Sequence, residues 1–328
     1  MFKSLVLTAP GQCSVEQFDE LTYDQRPIEV SVEYSGINYK DALAVTGRGK
    51  IVRAPFPFVP GIDLAGTIIK SESTNFQSGD RVVLTGGGLG ESFDGGFSQR
   101  QRVSSEYLMK LPDGMSTRQS MILGTAGMTA MLSVKALEEH HIREGKVLVT
   151  GASGGVGMIA IKLLASLGYS VIASCQSSHL RQKIMGLGAM ETIDRIEPSR
   201  PLDHGIYEGV IDTVGGATLS GALSQVKRHG CVAASGNVGG AELLTTVYPF
   251  ILRGVTLVGI DSNTAQRSDR IIAWKRLQDL IPPQEINQLF MGTVSIEDIE
   301  RVCHAKVDGD APGRFLVDLS SSEERCPQ

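Results

Sequence analysis

From Val147 to Gly157 the chain reads Val-Leu-Val-Thr-Gly-Ala-Ser-Gly-Gly-Val-Gly, and the apolar run Met158-Ile-Ala-Ile-Lys-Leu-Leu-Ala-Ser-Leu167 follows at once. This order of residue types predicts a buried β-strand, a turn packed with glycine, and an amphipathic helix over Gly155–Leu167. Gly151, Gly154 and Gly157 fall three apart, with Gly155 extra. Glycines at that spacing let the backbone bend tightly, come close to a ligand, and press the helix onto the strand. The first N–H groups of the helix have no intrahelical partner and carry partial positive charge, which suits a phosphate. In its strand–turn–helix setting the motif predicts a site for the pyrophosphate of a dinucleotide.

A length of 328 residues is enough for two domains with separate cores. The net charge of −5 argues against a nucleic-acid surface or an anionic membrane as the main partner. The cysteines Cys13, Cys175, Cys231, Cys303 and Cys326 are odd in number and widely spaced, so neither a disulfide framework nor a zinc knuckle is expected. Met1–Pro10 lacks the apolar core of a signal peptide, and no uninterrupted apolar stretch approaches a membrane span. A cytoplasmic location is the expectation.

Residues 1 to roughly 120 read as β-rich, with short runs at Lys3–Leu7, Ile28–Tyr34, Ala65–Lys70 and Arg81–Leu84 set between turn residues. Gly86-Gly-Gly-Leu-Gly90 marks a loop that could be a lid or a hairpin tip. Beyond Pro112, Met121–Glu139 reads as a long helix. Strands are then expected at Lys146–Thr150, Ser170–Ser174, Gly209–Thr213, Cys231–Ser235 and Val255–Ile260, and helices at Ser178–Leu187 and Ala217–Arg228. Such alternation implies a parallel sheet covered on both faces. Ala265–Leu280 reads as a helix, followed by helical segments, a last strand at Arg314–Leu319 and a polar tail, Ser320–Gln328. The pattern predicts an α/β protein whose nucleotide domain is inserted between two parts of a β-rich domain.

The residues after the second strand of such a unit choose the coenzyme. An NAD site places an acid about 20 residues past the glycines, on the ribose 2′-OH. Here that region reads Ser174-Cys-Gln-Ser-Ser-His-Leu-Arg181, with no acid. Hydroxyls with a cation nearby suit a 2′-phosphate, so NADPH is expected, with Arg181 or Arg195 as the candidate cation.

Several segments together resemble the medium-chain dehydrogenase/reductase superfamily: Ser35-Gly-Ile-Asn-Tyr-Lys-Asp41, Val59-Pro-Gly-Ile-Asp-Leu-Ala-Gly66, Gly79-Asp-Arg-Val82, Gly124-Thr-Ala-Gly-Met-Thr-Ala130 and the glycine turn. Asn38–Leu43, Pro60–Asp63, Ile211–Gly215 and Pro249–Arg253 are similar to the acryloyl-CoA reductase branch, long grouped with quinone oxidoreductases. The resemblance implies a doubly wound Rossmann sheet (122–261) inserted in a GroES-like catalytic domain (1–121 and 262–328). Zinc members of the superfamily carry Cys and Gly-His-Glu where this chain has Asn38 and Gly61-Ile62-Asp63, so no metal is expected.

Residue by residue, the resemblance places Tyr39 beside the nicotinamide and Ser153, Gly154, Gly155 and Val156 at the pyrophosphate. Cys175, Gln176 and Ser177 fall on the 2′-phosphate loop, where relatives can carry a base, so more weight rests on Arg195. Asn237, Ile251, Ser262 and Arg314 match positions lining the coenzyme cleft. Asn38 and Tyr39 are the candidate catalytic donors, toward the oxygen of an acyl-CoA thioester, with backbone N–H groups as the alternative; Asn38 otherwise caps a turn and Tyr39 otherwise only walls the nicotinamide pocket. Lys40, Arg48, Lys50 and Arg53 form a basic loop region that either meets the phosphates of CoA or is merely solvated. The implied reaction is NADPH-dependent, zinc-independent reduction of acryloyl-CoA to propanoyl-CoA by a homodimer. An NADPH:quinone or general enone reductase, and an NADPH-binding protein without catalysis, are the rivals.

Overall fold

The β-branched runs of the first 113 residues become strands in the computed structural model, which describes residues 1–21 and 26–320. In chain order they are β1 (Phe2–Ala9), β2 (Gln12–Phe18), β3 (Ile28–Ile37), β4 (Asp63–Ser71), β5 (Arg81–Thr85), β6 (Arg100–Val103) and β7 (Met109–Lys110). Between β3 and β4 lies a helix the sequence reading did not anticipate, α1 (Tyr39–Thr46). Asn38 caps it: the Asp41 carboxylate in its first turn accepts the Asn38 N–H at 2.8 Å, one half of a capping box. Gly47 closes it in the left-handed region, at φ 68°.

The second long element, α2 (Thr117–Glu139), is broken at Gly124, where φ is 51° and ψ −152°. It is long and apolar enough to cross a membrane, but 83% of its most apolar window is buried inside the protein.

The alternating region then gives β8 (Lys146–Val149), α3 (Gly155–Ser166), β9 (Ser170–Ser174), α4 (Arg181–Gly186), β10 (Glu191–Ile193), β11 (Tyr207–Asp212), α5 (Gly216–Ser224), β12 (Val226–Ala234), α6 (Tyr248–Arg253) and β13 (Thr256–Gly259). The helix expected over Ala217–Arg228 stops at Ser224. The Arg253 guanidinium takes the carbonyls of Ser224 and Val226, at 3.0 and 2.8 Å, and β12 starts early to pair Val226 with Tyr207. The chain closes with α7 (Arg267–Leu280), α8 (Pro283–Ile286), β14 (Phe290–Val294), α9 (Ile299–Asp308) and β15 (Arg314–Asp318). The helix start expected at Ala265 falls two residues later. β14 replaces part of the expected helical stretch, pairing parallel to β15. Most of the expected polar tail, from residue 321 on, lies outside the described residues.

Two compact units result. One holds Met1–Thr125, Asn263–Trp274 and the residues from Pro283 on; the other holds Ala126–Ser262 and Lys275–Pro282. The first has the β1–β2 ribbon and a seven-stranded sheet, β14-β15-β3-β4-β5-β7 with β6 also on β3. Leu5, Val30, Leu64, Phe97 and Leu316 are among its fully or nearly fully buried side chains. In this unit the Gly86–Gly90 loop is no open lid. Asn263 accepts the Gly87 N–H through its carbonyl at 2.8 Å, and Leu89 and Glu91 are buried.

The second unit is one all-parallel sheet in the order β10-β9-β8-β11-β12-β13. Counted from its first strand this is 3-2-1-4-5-6, the doubly wound order whose ligands bind beyond the carboxyl ends of the strands. The strands are buried on both faces, as Val147, Leu148 and Val149 in β8 and Val171, Ile172 and Ala173 in β9 show.

Candidate active site

In the parallel-sheet unit the glycine turn leaves β8 at its carboxyl end and caps α3 with Gly154. Gly151 has φ 58°, and a Cβ there would lie 2.2 Å from Thr213 Oγ1. A Cβ on Gly157 would lie 2.4 Å from the Gly151 carbonyl and 2.8 Å from Ala152 Cα. Only glycine lets α3 sit this close to its own turn, and the close fit aims the free N–H groups of the helix start outward for a phosphate. The neighbouring strand braces the turn: Thr150 Oγ1 donates to Asp212 at 2.6 Å, and Thr213 Oγ1 donates to the Thr150 carbonyl at 2.9 Å.

The tips of β9 and β10 are joined beside this turn. The Cys175 N–H donates to Ile193 at 2.9 Å, and Ser174 Oγ to the Asp194 carbonyl at 3.1 Å. Cys175 is buried and its thiol faces the Ser177 carbonyl, while Gln176 is exposed. The two candidate arginines differ. Arg181 pairs with the Asp194 carboxylate and also donates to the Cys175 carbonyl at 3.3 Å. Arg195 is exposed and has no ion pair or hydrogen bond among the described residues. In the same unit Asn237 is exposed, Ile251 is 68% exposed on α6, and Ser262 Oγ lies 2.7 Å from Thr129 Oγ1.

The β-rich unit holds a buried polar network of Asn38, Asp41, Asp63 and Arg314. Asn38 is 9% exposed and the other three at most 1%. The break at Gly124 builds it. The helix half that ends there leaves the carbonyls of Met121 and Ile122 free for Arg314, at 3.1 and 2.8 Å. The half that begins there offers the Thr125 N–H and hydroxyl to Asp63, the hydroxyl at 2.6 Å. Arg314 donates to Asn38 Oδ1 at 2.7 Å and faces Asp63 at 3.7 Å. Asn38 Nδ2 donates to Asp63 at 2.8 Å and to Asp41 at 3.1 Å, and Asp41 also accepts the Ile62 N–H at 2.8 Å.

Asn38 has both amide hydrogens and its oxygen engaged at the start of α1. Arg314 is a buried strut with every nitrogen bonded to a protein acceptor. Tyr39, next along α1, is half-buried, and its hydroxyl has no hydrogen-bond partner among the described residues. The sequence reading missed Asp41 as a member of the network. Its signal was an acid three residues after Asn38, the spacing of a capping box.

Zinc does not fit this place. Ile62 offers no donor atom, Asn38 Oδ1 is taken by Arg314, and Asp63 faces a guanidinium. Among the described residues no group of three His, Cys, Asp or Glu side chains could hold a metal ion.

Burial first, and the Asp63 charge second, push the Asp41 carboxyl up to about 7. An unfolded aspartate ionises near ~3.9, so between that pH and about 7 the folded chain holds the extra proton. This contribution to stability is therefore present in acid and lost as pH rises toward 7. Asp41→Asn has no such ionisation. We expect the fall in thermal midpoint between about pH 5 and about pH 8 to shrink in that variant. Thermal melts followed by circular dichroism at the two pH values check this, and an undiminished fall would exclude Asp41 as its source.

The basic segment is not one loop. Lys40 lies in α1 and pairs with buried Glu91 at 2.8 Å, Arg53 approaches the same carboxylate at 4.0 Å, and Arg48 pairs with Asp308. Lys50 is exposed and without a partner among the described residues.

Residues 24–113 match the Alcohol dehydrogenase GroES-like domain family, and residues 155–279 the Zinc-binding dehydrogenase family. Acrylyl-CoA reductase AcuI of Ruegeria pomeroyi is 41% identical over 98% of this chain and 100% of that protein. The YhdH oxidoreductase of Salmonella enterica, solved in complex with NADP, superposes with a TM-score of 0.94 at 43% identity, covering 98% of this chain and 100% of that one. YhfP of Bacillus subtilis, solved with NAD bound, gives 0.92 at 38% identity over 97% of this chain and 99% of that one. With that identity along its whole length, and with an asparagine and an isoleucine where zinc ligands would stand, the chain belongs to the zinc-independent medium-chain dehydrogenases/reductases, among the acrylyl-CoA reductase and quinone oxidoreductase-like proteins.

Proposed function

We propose that this chain is a cytoplasmic NADPH-dependent reductase of acryloyl-CoA, adding hydride to the β-carbon and a proton to the α-carbon to give propanoyl-CoA. The observation that carries the coenzyme reading is Arg195: an exposed guanidinium without a protein partner, beside an acid-free strand tip and a glycine turn that a Cβ would block. The similarity to an acrylyl-CoA reductase along the full chain supports the substrate.

In this reading Ser153, Gly154, Gly155 and Val156 hold the pyrophosphate, and Gln176, Ser177 and Arg195 the 2′-phosphate. Asn237, Ile251 and Ser262 line the rest of the coenzyme's path. The bound coenzyme supplies the hydride. As the hydride adds, negative charge grows on the thioester oxygen, and a preorganised donor there is worth about 10²–10³ in rate. The Tyr39 hydroxyl is that donor, because the Asn38 amide beside it is engaged. Two proton sources suit the α-carbon, Tyr39 and water. Lys50 and Arg53, both exposed, offer cations to the phosphates of CoA. We also propose a homodimer built on the β13 edge, where Val247, Tyr248 and Leu252 leave apolar surface exposed nearby in the chain.

The test is a spectrophotometric comparison of NADPH oxidation with acryloyl-CoA, crotonyl-CoA and a small quinone. We expect acryloyl-CoA to give the highest kcat/KM. A quinone preferred over both thioesters would favour the quinone reductase reading. Tight NADPH binding without oxidation by any acceptor would favour a non-catalytic role.

A further inference from the structure

The corner where β9 and β10 end holds two arginines in opposite states. Arg195 reaches solvent with nothing to neutralise it. Arg181, at the start of α4, is drawn to the Asp194 carboxylate and to the Cys175 carbonyl, and its buried Nε has no hydrogen-bond partner. Arg181 is thus a partly satisfied fork held by a single acid. Asp194 is 88% exposed, and β10 and its bonds to Ser174 and Cys175 present it beside Arg195. No residue from Cys175 to Leu180 is a lysine or an arginine.

We infer that Asp194 sets the coenzyme preference by withholding Arg181 from the 2′-phosphate, leaving Arg195 as the one arginine free to bind it. The inference rests on the reading that Arg195 holds that phosphate. A 2′-phosphate carries close to two negative charges, so a carboxylate at this corner opposes it twice: it repels the phosphate directly and neutralises the second guanidinium. NADH has no such phosphate and is indifferent to both effects. Removing the charge of Asp194 leaves the packing intact, since the side chain stands in solvent. It frees Arg181 to turn its fork toward the phosphate.

Equilibrium titrations of the full chain with NADPH and NADH, followed by nicotinamide fluorescence, test this. We expect Asp194→Asn to tighten NADPH binding about threefold to fivefold, with NADH moved by less than about twofold. Arg181→Ala alone should move NADPH by less than about twofold, and added to Asp194→Asn it should remove the gain. The gain should shrink as salt is raised.

Arg195→Ala separates the two claims. We expect it to weaken NADPH about tenfold or more and to spare NADH. If it leaves the NADPH-to-NADH ratio unchanged, the phosphate reading fails. If it acts as expected while Asp194→Asn changes nothing, the withholding role alone fails. Arg181→Ala as damaging to NADPH as Arg195→Ala, or Asp194→Asn weakening NADH, would also overturn it.

Discussion

Arg314→Met will lower the stability of the β-rich unit by about 3–5 kcal/mol, because it strands the buried Asp63 carboxylate without its cation. The guanidinium lies within 4 Å of Asp63 and bonds the Asn38 amide and the carbonyls of Met121 and Ile122. Methionine matches the stem of arginine but offers none of those donors. Two helix-end carbonyls and the Asn38 oxygen are left in the core, each at about 1–3 kcal/mol if unsatisfied. Burial already pulls the Arg314 proton affinity down, and the charges of Asp63 and Asp41 hold it up. An arginine in such a place stays charged where a lysine would not, so Arg314→Lys should also lose stability.

A thermal midpoint lower by about 10 °C is the expected reading by calorimetry. Adding Asp63→Asn to Arg314→Met should recover part of the loss, since the penalty arises from an uncompensated charge. A single variant that melts with the wild type would show the network to be ornamental.

That network also shows where a sequence stops being readable. Asn38 and Arg314 meet across 276 positions, and nothing local marks them as partners. Read alone, an arginine opening a strand looks like a group waiting for a ligand, and an asparagine before a tyrosine like either that or the cap of a turn. The structure gives each the other instead. Gly124 looked like one small residue among several in a helix, yet it breaks that helix, and a Cβ there would lie 2.5 Å from Asp63.

Where the code is local, the reading succeeded. β9 was bounded to the residue, because the short apolar and small run between Gly168 and the polar Gln176 leaves few other choices. α1 and β14 were missed because each is short and takes its stability from packing on other elements, with little periodicity of its own. The pairing of Arg181 with Asp194 joins a helix start to the end of a strand 13 residues on, again beyond local pattern.

The glycine turn is the local signal on which the proposed coenzyme site depends, and Gly157→Val should abolish binding there. The new Cβ would meet the Gly151 carbonyl at 2.4 Å and Ala152 Cα at 2.8 Å, both backbone atoms of the turn. Backbone cannot swing aside as a side-chain tip can, so α3 must lift from β8 or the turn must open. Either movement turns the N–H groups at the helix start away from where a pyrophosphate would lie. Overpacking of this kind costs about 1–3 kcal/mol in stability. The loss of binding should be larger, about a hundredfold or more in Kd for NADPH, because several charge-assisted bonds fail together.

Gly186→Ala is the matched control. That glycine ends α4 in the same unit, and a Cβ there meets no atom within 4 Å. Alanine should therefore be tolerated, or gain up to about 1 kcal/mol from helix propensity, with NADPH affinity unchanged. Titration of both variants with NADPH, beside thermal melts to confirm that each is folded, gives the comparison. A folded Gly157→Val chain that still binds NADPH as tightly as Gly186→Ala would remove the turn between β8 and α3 from the coenzyme site.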